Sequence, residues 1–168
     1  MTLLQRAVSA SEMEQLEASA VSSRPRHITC YLIAEARKTA MAKTDLADIY
    51  RDYIACLNRQ DWPKLEQFVH DEVSHNGERI GISGYRKMLE KDFCEIPDLH
   101  FNIRLLISDP PYIASRLQFD CTPKGQFLGL DVMGKRVSFA ENVFYEFRSE
   151  KIWQVWSVID KAAIEAQL

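Results

Sequence analysis

From Leu99 onward the chain reads as consecutive β-strands, whereas the preceding sixty residues read as helices. The apolar and β-branched runs at about Leu99 to Ser108, Tyr112 to Thr122, Lys135 to Phe147 and Lys151 to Ile159 are divided by Asp109-Pro110-Pro111, Pro123-Lys124-Gly125 and Ser149-Glu150. Proline and glycine at the first two breaks and serine at the third are turn signals, so the four runs predict long antiparallel strands. Upstream, Leu46, Ile49, Tyr50, Tyr53, Ile54 and Leu57 fall at helical spacing and predict a helix to about Asn58 capped by Thr44 or Asp45. Asp61-Trp62-Pro63 opens a short second helix, with proline in its first turn. A brief strand near Glu72 to Asn76, a glycine-rich turn from Gly77 to Gly81 and a third helix from Ser83 to before Ile96 follow. Helices first and strands afterwards predict an α+β fold, with three helices packed on one face of a curved, mainly antiparallel sheet. A sheet curved around helices encloses a conical cavity.

Composition narrows the function classes. The 168 residues are 46% hydrophobic and 27% charged, with a net charge of −3, which suits an ordinary globular chain and offers no basic surplus for nucleic acid. Cys30, Cys56, Cys94 and Cys121 form no CxxC pair, and His27, His70, His75 and His100 give no HExxH, so no metal site is expected. Reduced cysteines and the lack of a secretory or membrane-spanning run point to a cytoplasmic setting. No phosphate-binding glycine pattern is present, so no nucleotide cofactor is expected. Residues 1–40 are Ser- and Ala-rich and broken at Ser22-Ser23-Arg24-Pro25. They read as an extension, either loosely ordered or contributed by an upstream start, before a domain over 41–168.

Two acids stand out on strand faces. Strict alternation places Ile152, Gln154, Trp156, Val158 and Asp160 together. Asp160 then ends an apolar face, where burial raises a carboxylate's pKa and suits it to acid/base work. The competing reading makes Asp160 a solvated cap for the helix from Lys161 to Leu168. On the preceding strand Phe139, Glu141, Val143, Tyr145 and Phe147 share a face. A lone acid there is costly unless it pairs. Glu141 therefore meets Arg116 or Arg136, or lines the cavity near Asp160, where two acids would split their pKa values. Phe101, Leu105 and Ile107 are expected in the core, and Tyr50, Tyr53, Trp62 and Phe93 in the core or cavity wall.

The order Ile96-Pro97-Asp98-Leu99-His100-Phe101, then Arg116, Gly125, Phe127, Gly129 and Gly134-Lys135, and finally Trp156 to Asp160, resembles the SnoaL-like polyketide cyclases. These form the ester-cyclase branch of the NTF2-like superfamily. The likeness spans about Asp45 to Lys161 and implies the cystatin-like cone of that superfamily. It also implies a cofactor-free lyase or isomerase performing aldol-type acid/base chemistry on a small, largely apolar carbonyl compound. In the family, the Asp closing Trp-x-x-x-Asp is the general acid/base, a position held here by Asp160, and an early histidine is kept as His75. Arg116, His75, Asn76 and Tyr145 are the candidate donors to substrate oxygen, with Arg116 alternatively a structural ion-pair partner of an acid, Trp156 as an aromatic wall and Glu141 as a second acid. The family's two other histidines are Pro123 and Val155 here, which implies chemistry different from polyketide cyclisation. The alternative is a non-catalytic module of the same fold that binds a small ligand or dimerises through its exposed sheet face. A homodimer is implied by the resemblance, and neither nucleic acid nor a membrane is expected as a partner.

Overall fold

The computed structural model describes residues 46–168. The reading of residues 1–40 as an extension, and the cap at Thr44 or Asp45, lie outside these residues.

The first helix, α1, covers residues 46–58, and its apolar stripe is the core seam: Tyr50, Tyr53 and Leu57 are fully buried. A 3-10 turn at Trp62–Lys64, with proline in its first turn, leads into the four-residue helix α2, Leu65–Phe68. Strand β1 (Val69–His75) and the two-residue β2 (Glu78–Arg79) form a hairpin, and α3 (Gly81–Glu95) packs back on β1. Gly81 enters this helix at φ +61, with an added Cβ 3.1 Å from the Asp71 carbonyl oxygen, so the position favours glycine. The long strands follow: β3 (Asn102–Asp109), β4 (Tyr112–Cys121), β7 (Val137–Arg148) and β8 (Lys151–Ile159). A small hairpin, β5 (Gln126–Phe127) with β6 (Leu130–Asp131), interrupts them where the sequence had suggested only a turn. The last helix, α4, is Lys161–Glu165.

The main sheet runs β2-β1-β8-β7-β4-β3, antiparallel except where β1 meets β8. The α+β architecture with a curved, mainly antiparallel sheet is therefore the one expected. The helices cover its inner face.

Register separates two kinds of strand. β4 and β7 pair without a slip over ten residues; β4 alternates buried with more exposed positions throughout, and β7 does so except at Ala140, which is also buried. β3 and β8 each carry one extra residue. Ile103 pairs with Leu117 but Leu105 with Arg116, leaving Arg104 unpaired. Phe147 pairs with Ile152 but Glu146 with Gln154, leaving Trp153 unpaired. A bulge residue reverses the inward and outward sense of everything beyond it. Leu105 and Ile107, expected in the core, are consequently 54% exposed on the outer face, while Phe101 and Leu106 pack against the core. The Trp153 ring meets the His70 ring edge-on at 4.5 Å and carries the Arg148 guanidinium over its face at 4.3 Å, contacts that anchor the β8 bulge.

Candidate functional site

The inner face of the sheet, α1, α3 and the β5–β6 hairpin enclose a cavity of about 230 Å³. An apolar cavity of about 150 Å³ already accepts benzene, so this one suits a ring with a short chain or a second small ring. Aromatic and aliphatic side chains make most of its wall, including Phe101, Phe119, Phe127, Phe139, Leu89 and Val155. Leu128, exposed on the hairpin yet also part of the wall, marks the mouth. The polar lining residues are His75, Asp92, Glu141, Ser157, Tyr53, Tyr85 and Tyr145. No Lys or Arg is among the described lining residues.

Glu141 is the deepest charge. The slip-free register of β7 against β4 keeps it on the inner face with Val143 and Tyr145, and it lines the cavity. Its carboxylate accepts a hydrogen bond from the Ser157 hydroxyl, diagonally across the β7–β8 ladder. Among the described residues it forms no ion pair with Arg116, Arg136 or any other cation. Burial raises its pKa, and the Ser157 hydrogen bond offsets part of that rise.

Ser157 is itself held in place. Its backbone N–H donates to the Asn76 side-chain oxygen at 2.8 Å, and the Asn76 amide donates to the Ser157 carbonyl at 3.3 Å. Asn76 reaches this pose at φ +48, a left-handed conformation that asparagine tolerates. It does not line the cavity; it positions Ser157, which orients Glu141.

Three tyrosines form a hydroxyl-rich wall. The Tyr53 and Tyr85 hydroxyls are 2.7 Å apart, and the Tyr145 ring lies 6.1 Å from that of Tyr53. Burial raises the pKa of all three, so each keeps its proton at neutral pH and remains a donor. Burial likewise lowers the pKa of His75, whose ring faces Tyr85 at 6.4 Å. A neutral imidazole lining an apolar cavity can donate or accept one proton.

The structure thus brings together His75, Glu141 and Tyr145 of the expected site and places the other four outside the cavity wall: Asn76 behind Ser157, and Asp160, Trp156 and Arg116. Asp160 is exposed and stands outside the cavity; its carboxylate accepts from the Ala163 N–H at 3.0 Å and caps α4. Trp156 is on the outer face, paired with Phe144, and is 40% exposed. The bulge at Trp153 is the reason: beyond it Val155, Ser157 and Ile159 point inward, not Trp156, Val158 and Asp160. Arg116 also lies outward, donating to the Asn142 side-chain oxygen at 2.8 Å. Its role in the fold is a cross-strand tie.

Asp92 and Ser157 were missed. Asp92 had a legible signal, since it falls four residues after Met88 and three after Leu89, on the apolar stripe of α3. Ser157 had none, because its inward direction depends on the bulge. Among the described residues no group of three or more His, Cys, Asp or Glu side chains is arranged to hold a metal ion. No helix there is long and apolar enough to cross a membrane.

Comparison with known proteins bears on this geometry. A SnoaL-like polyketide cyclase from Agrobacterium tumefaciens superposes with a TM-score of 0.72 at 55% identity, covering 73% of this chain and 96% of that one. IdmH from Streptomyces antibioticus, at 15% identity and TM-score 0.64, covers 73% of this chain and 96% of its own, and AclR from Streptomyces galilaeus, at 19% and 0.62, covers 74% and 96%. Those two likenesses concern the fold alone. A search of curated protein sequences returned no match. The family model for SnoaL-like polyketide cyclases matches residues 47–168, the span that builds the cavity, and the chain belongs to that family.

Proposed function

We propose that the domain over residues 41–168 is a cofactor-free cyclase or isomerase that moves a proton next to a carbonyl group, with Glu141 as the acid/base. The observation that carries this reading is a carboxylate held inside a largely apolar cavity with no cation beside it. Such a charge costs stability and raises its own proton affinity, and groups arranged so are found where chemistry needs them. A base removing an α-proton creates an enolate, whose oxygen needs pre-placed donors. The Tyr53–Tyr85 hydroxyl pair, Tyr145 and His75 supply them. A wall with two acids and no Lys or Arg disfavours anionic ligands, so the substrate is an uncharged carbonyl compound of about one or two rings. Asp160, outside the cavity, has no part in this reading.

The test is deuterium uptake from D2O into 1-phenylpropan-2-one, followed by proton NMR. The wild type should accelerate exchange at the carbons flanking the carbonyl, and Glu141→Gln should lower that rate by at least about 10²-fold. Binding of the ketone without exchange would instead support a ligand-binding module. Val155, apolar where the family pattern has histidine, fits that outcome.

A homodimer is also proposed, through the outer sheet face. The register lines up Ile107, Ala114, Phe144 and Trp156 as one row across β3, β4, β7 and β8, and Val158 extends it. Exposed apolar rows of this kind mark association surfaces. Phe144→Glu should convert a dimer to a monomer in light scattering; a monomeric wild type would remove the proposal.

A further inference from the structure

Asp92 is the polar group of the cavity that the reading above leaves unused. It lies on α3 seven residues after Tyr85, four after Met88 and three after Leu89, and all four side chains line the cavity. The stripe therefore turns this half-buried acid toward the ligand space. Among the described residues its carboxylate has neither a hydrogen bond nor an ion pair. The neighbouring Lys91 instead approaches Glu95, at 3.7 Å. An unpartnered acid in such a wall is costly to keep unless it meets something that binds there.

We propose that Asp92 is the second proton-transfer residue of the cavity, acting from α3 on the same bound carbonyl compound that Glu141 approaches from β7. This rests on the reading of Glu141 as the acid/base. For an aldol closure the Glu141 carboxylate takes the proton from the carbon beside one carbonyl. The C–H electron pair becomes an enolate, whose carbon bonds to a second carbonyl carbon of the same molecule. The π pair of that carbonyl moves to its oxygen, which takes the proton of the Asp92 carboxyl group. The product is an isomer of the substrate with a new C–C bond and a hydroxyl, and solvent returns the proton from Glu141 to Asp92. No oxidant, reductant or co-reactant is needed.

The electrostatics support the division of labour. Burial first, then the charges of Glu95 and Glu141, push Asp92 up to about 6, against a smaller pull from Lys91. The other titratable groups lining the cavity are His75, Tyr53, Tyr85 and Tyr145, none of them a fixed cation. Near neutral pH Asp92 thus holds its proton part of the time, and the two carboxyl groups titrate as a coupled pair.

Two measurements test this. Carboxyl 13C NMR titration should place the Asp92 midpoint near 6, identified by its loss in Asp92→Asn, and Glu141→Gln should lower it. Closure of heptane-2,6-dione should fall as pH rises past about 6 in the wild type. Asp92→Asn should slow closure about 10²-fold and abolish that pH limb, while Asp92→Glu restores it at a shifted pH. A midpoint indifferent to Glu141→Gln, wild-type closure kinetics in Asp92→Asn, or no wild-type closure above the buffer rate would overturn the proposal. Loss of deuterium exchange in Glu141→Gln, with Asp92→Asn closing the dione like the wild type, would leave the acid/base reading standing and remove only this one.

Discussion

Strands β7 and β8 lie side by side in the same sheet, with the acid Glu141 within β7 and the acid Asp160 directly after β8. β7 pairs with β4 without a slip, so Glu141 lands where a period of two puts it, inside the cavity with Ser157. β8 carries an extra residue at Trp153, so the face ending in Asp160 is turned to solvent and Asp160 becomes a helix cap. The same composition of aromatic, β-branched and acidic residues thus yields a candidate base on one strand and a structural cap on its neighbour. Periodicity is decisive only between bulges, and an acid's role follows from the last bulge before it.

The largest expected contrast is catalytic. Glu141→Gln should reduce carbonyl α-proton exchange by about 10² to 10⁴-fold, whereas Asp160→Asn should leave it at the wild-type rate. An equal loss in both variants would break the comparison.

Next in size is a pH effect at the cavity wall. A carboxyl group whose folded pKa is raised binds its proton more tightly when folded. The associated stability is full below the unfolded pKa and is lost as pH rises through the folded one. For Asp92 that window runs from about 3.8 to about 6. Asp92→Asn should therefore gain stability relative to the wild type as pH rises across it, on the order of 2 kcal/mol once partial exposure is discounted. His75, with a lowered pKa, works in the opposite sense, losing stability as pH falls below its unfolded value. The difference between variant and wild type in urea titrations at pH 4 and pH 7 cancels the His75 contribution. A difference independent of pH would show that Asp92 is not enclosed in solution.

A smaller effect sharpens the role of the bulge. Deleting Trp153 should regularise β8 while keeping Val155, Ser157 and Ile159 inward, because the residues on either side then alternate in the observed sense. The cost should be about 1–2 kcal/mol, mainly the contacts to His70 and Arg148. Complete unfolding of the deletion variant would show that the bulge itself is needed. The smallest change is Asp160→Ala, which removes a cap from α4 and should lower stability by about 1 kcal/mol in thermal melts.

Much of the fold was legible. The stripe of α1, the proline-led second helix, the limits of β8 and the break at Asp109-Pro110-Pro111 all follow from periodicity and turn chemistry, which are local. The position of Glu141 on the inner side of β7 was legible for the same reason. The β5–β6 hairpin was not, since two-residue strands carry no periodic signal. The outward turn of Leu105, Ile107, Trp156 and Asp160 was not legible either. Nothing in the composition of β3 or β8 marks Arg104 or Trp153 as the unpaired residue. The Trp153 bulge is held by contacts to His70, more than eighty positions away in the chain, and to Arg148 across the turn.

By itself, then, the sequence determined the order of helices and strands, the apolar seam of α1 and an acid facing inward on β7, because each rests on spacing within one segment. Tertiary structure decided which acid meets the cavity. Strand register is set by pairing and packing between segments, and one extra residue in a ladder reverses every side chain beyond it.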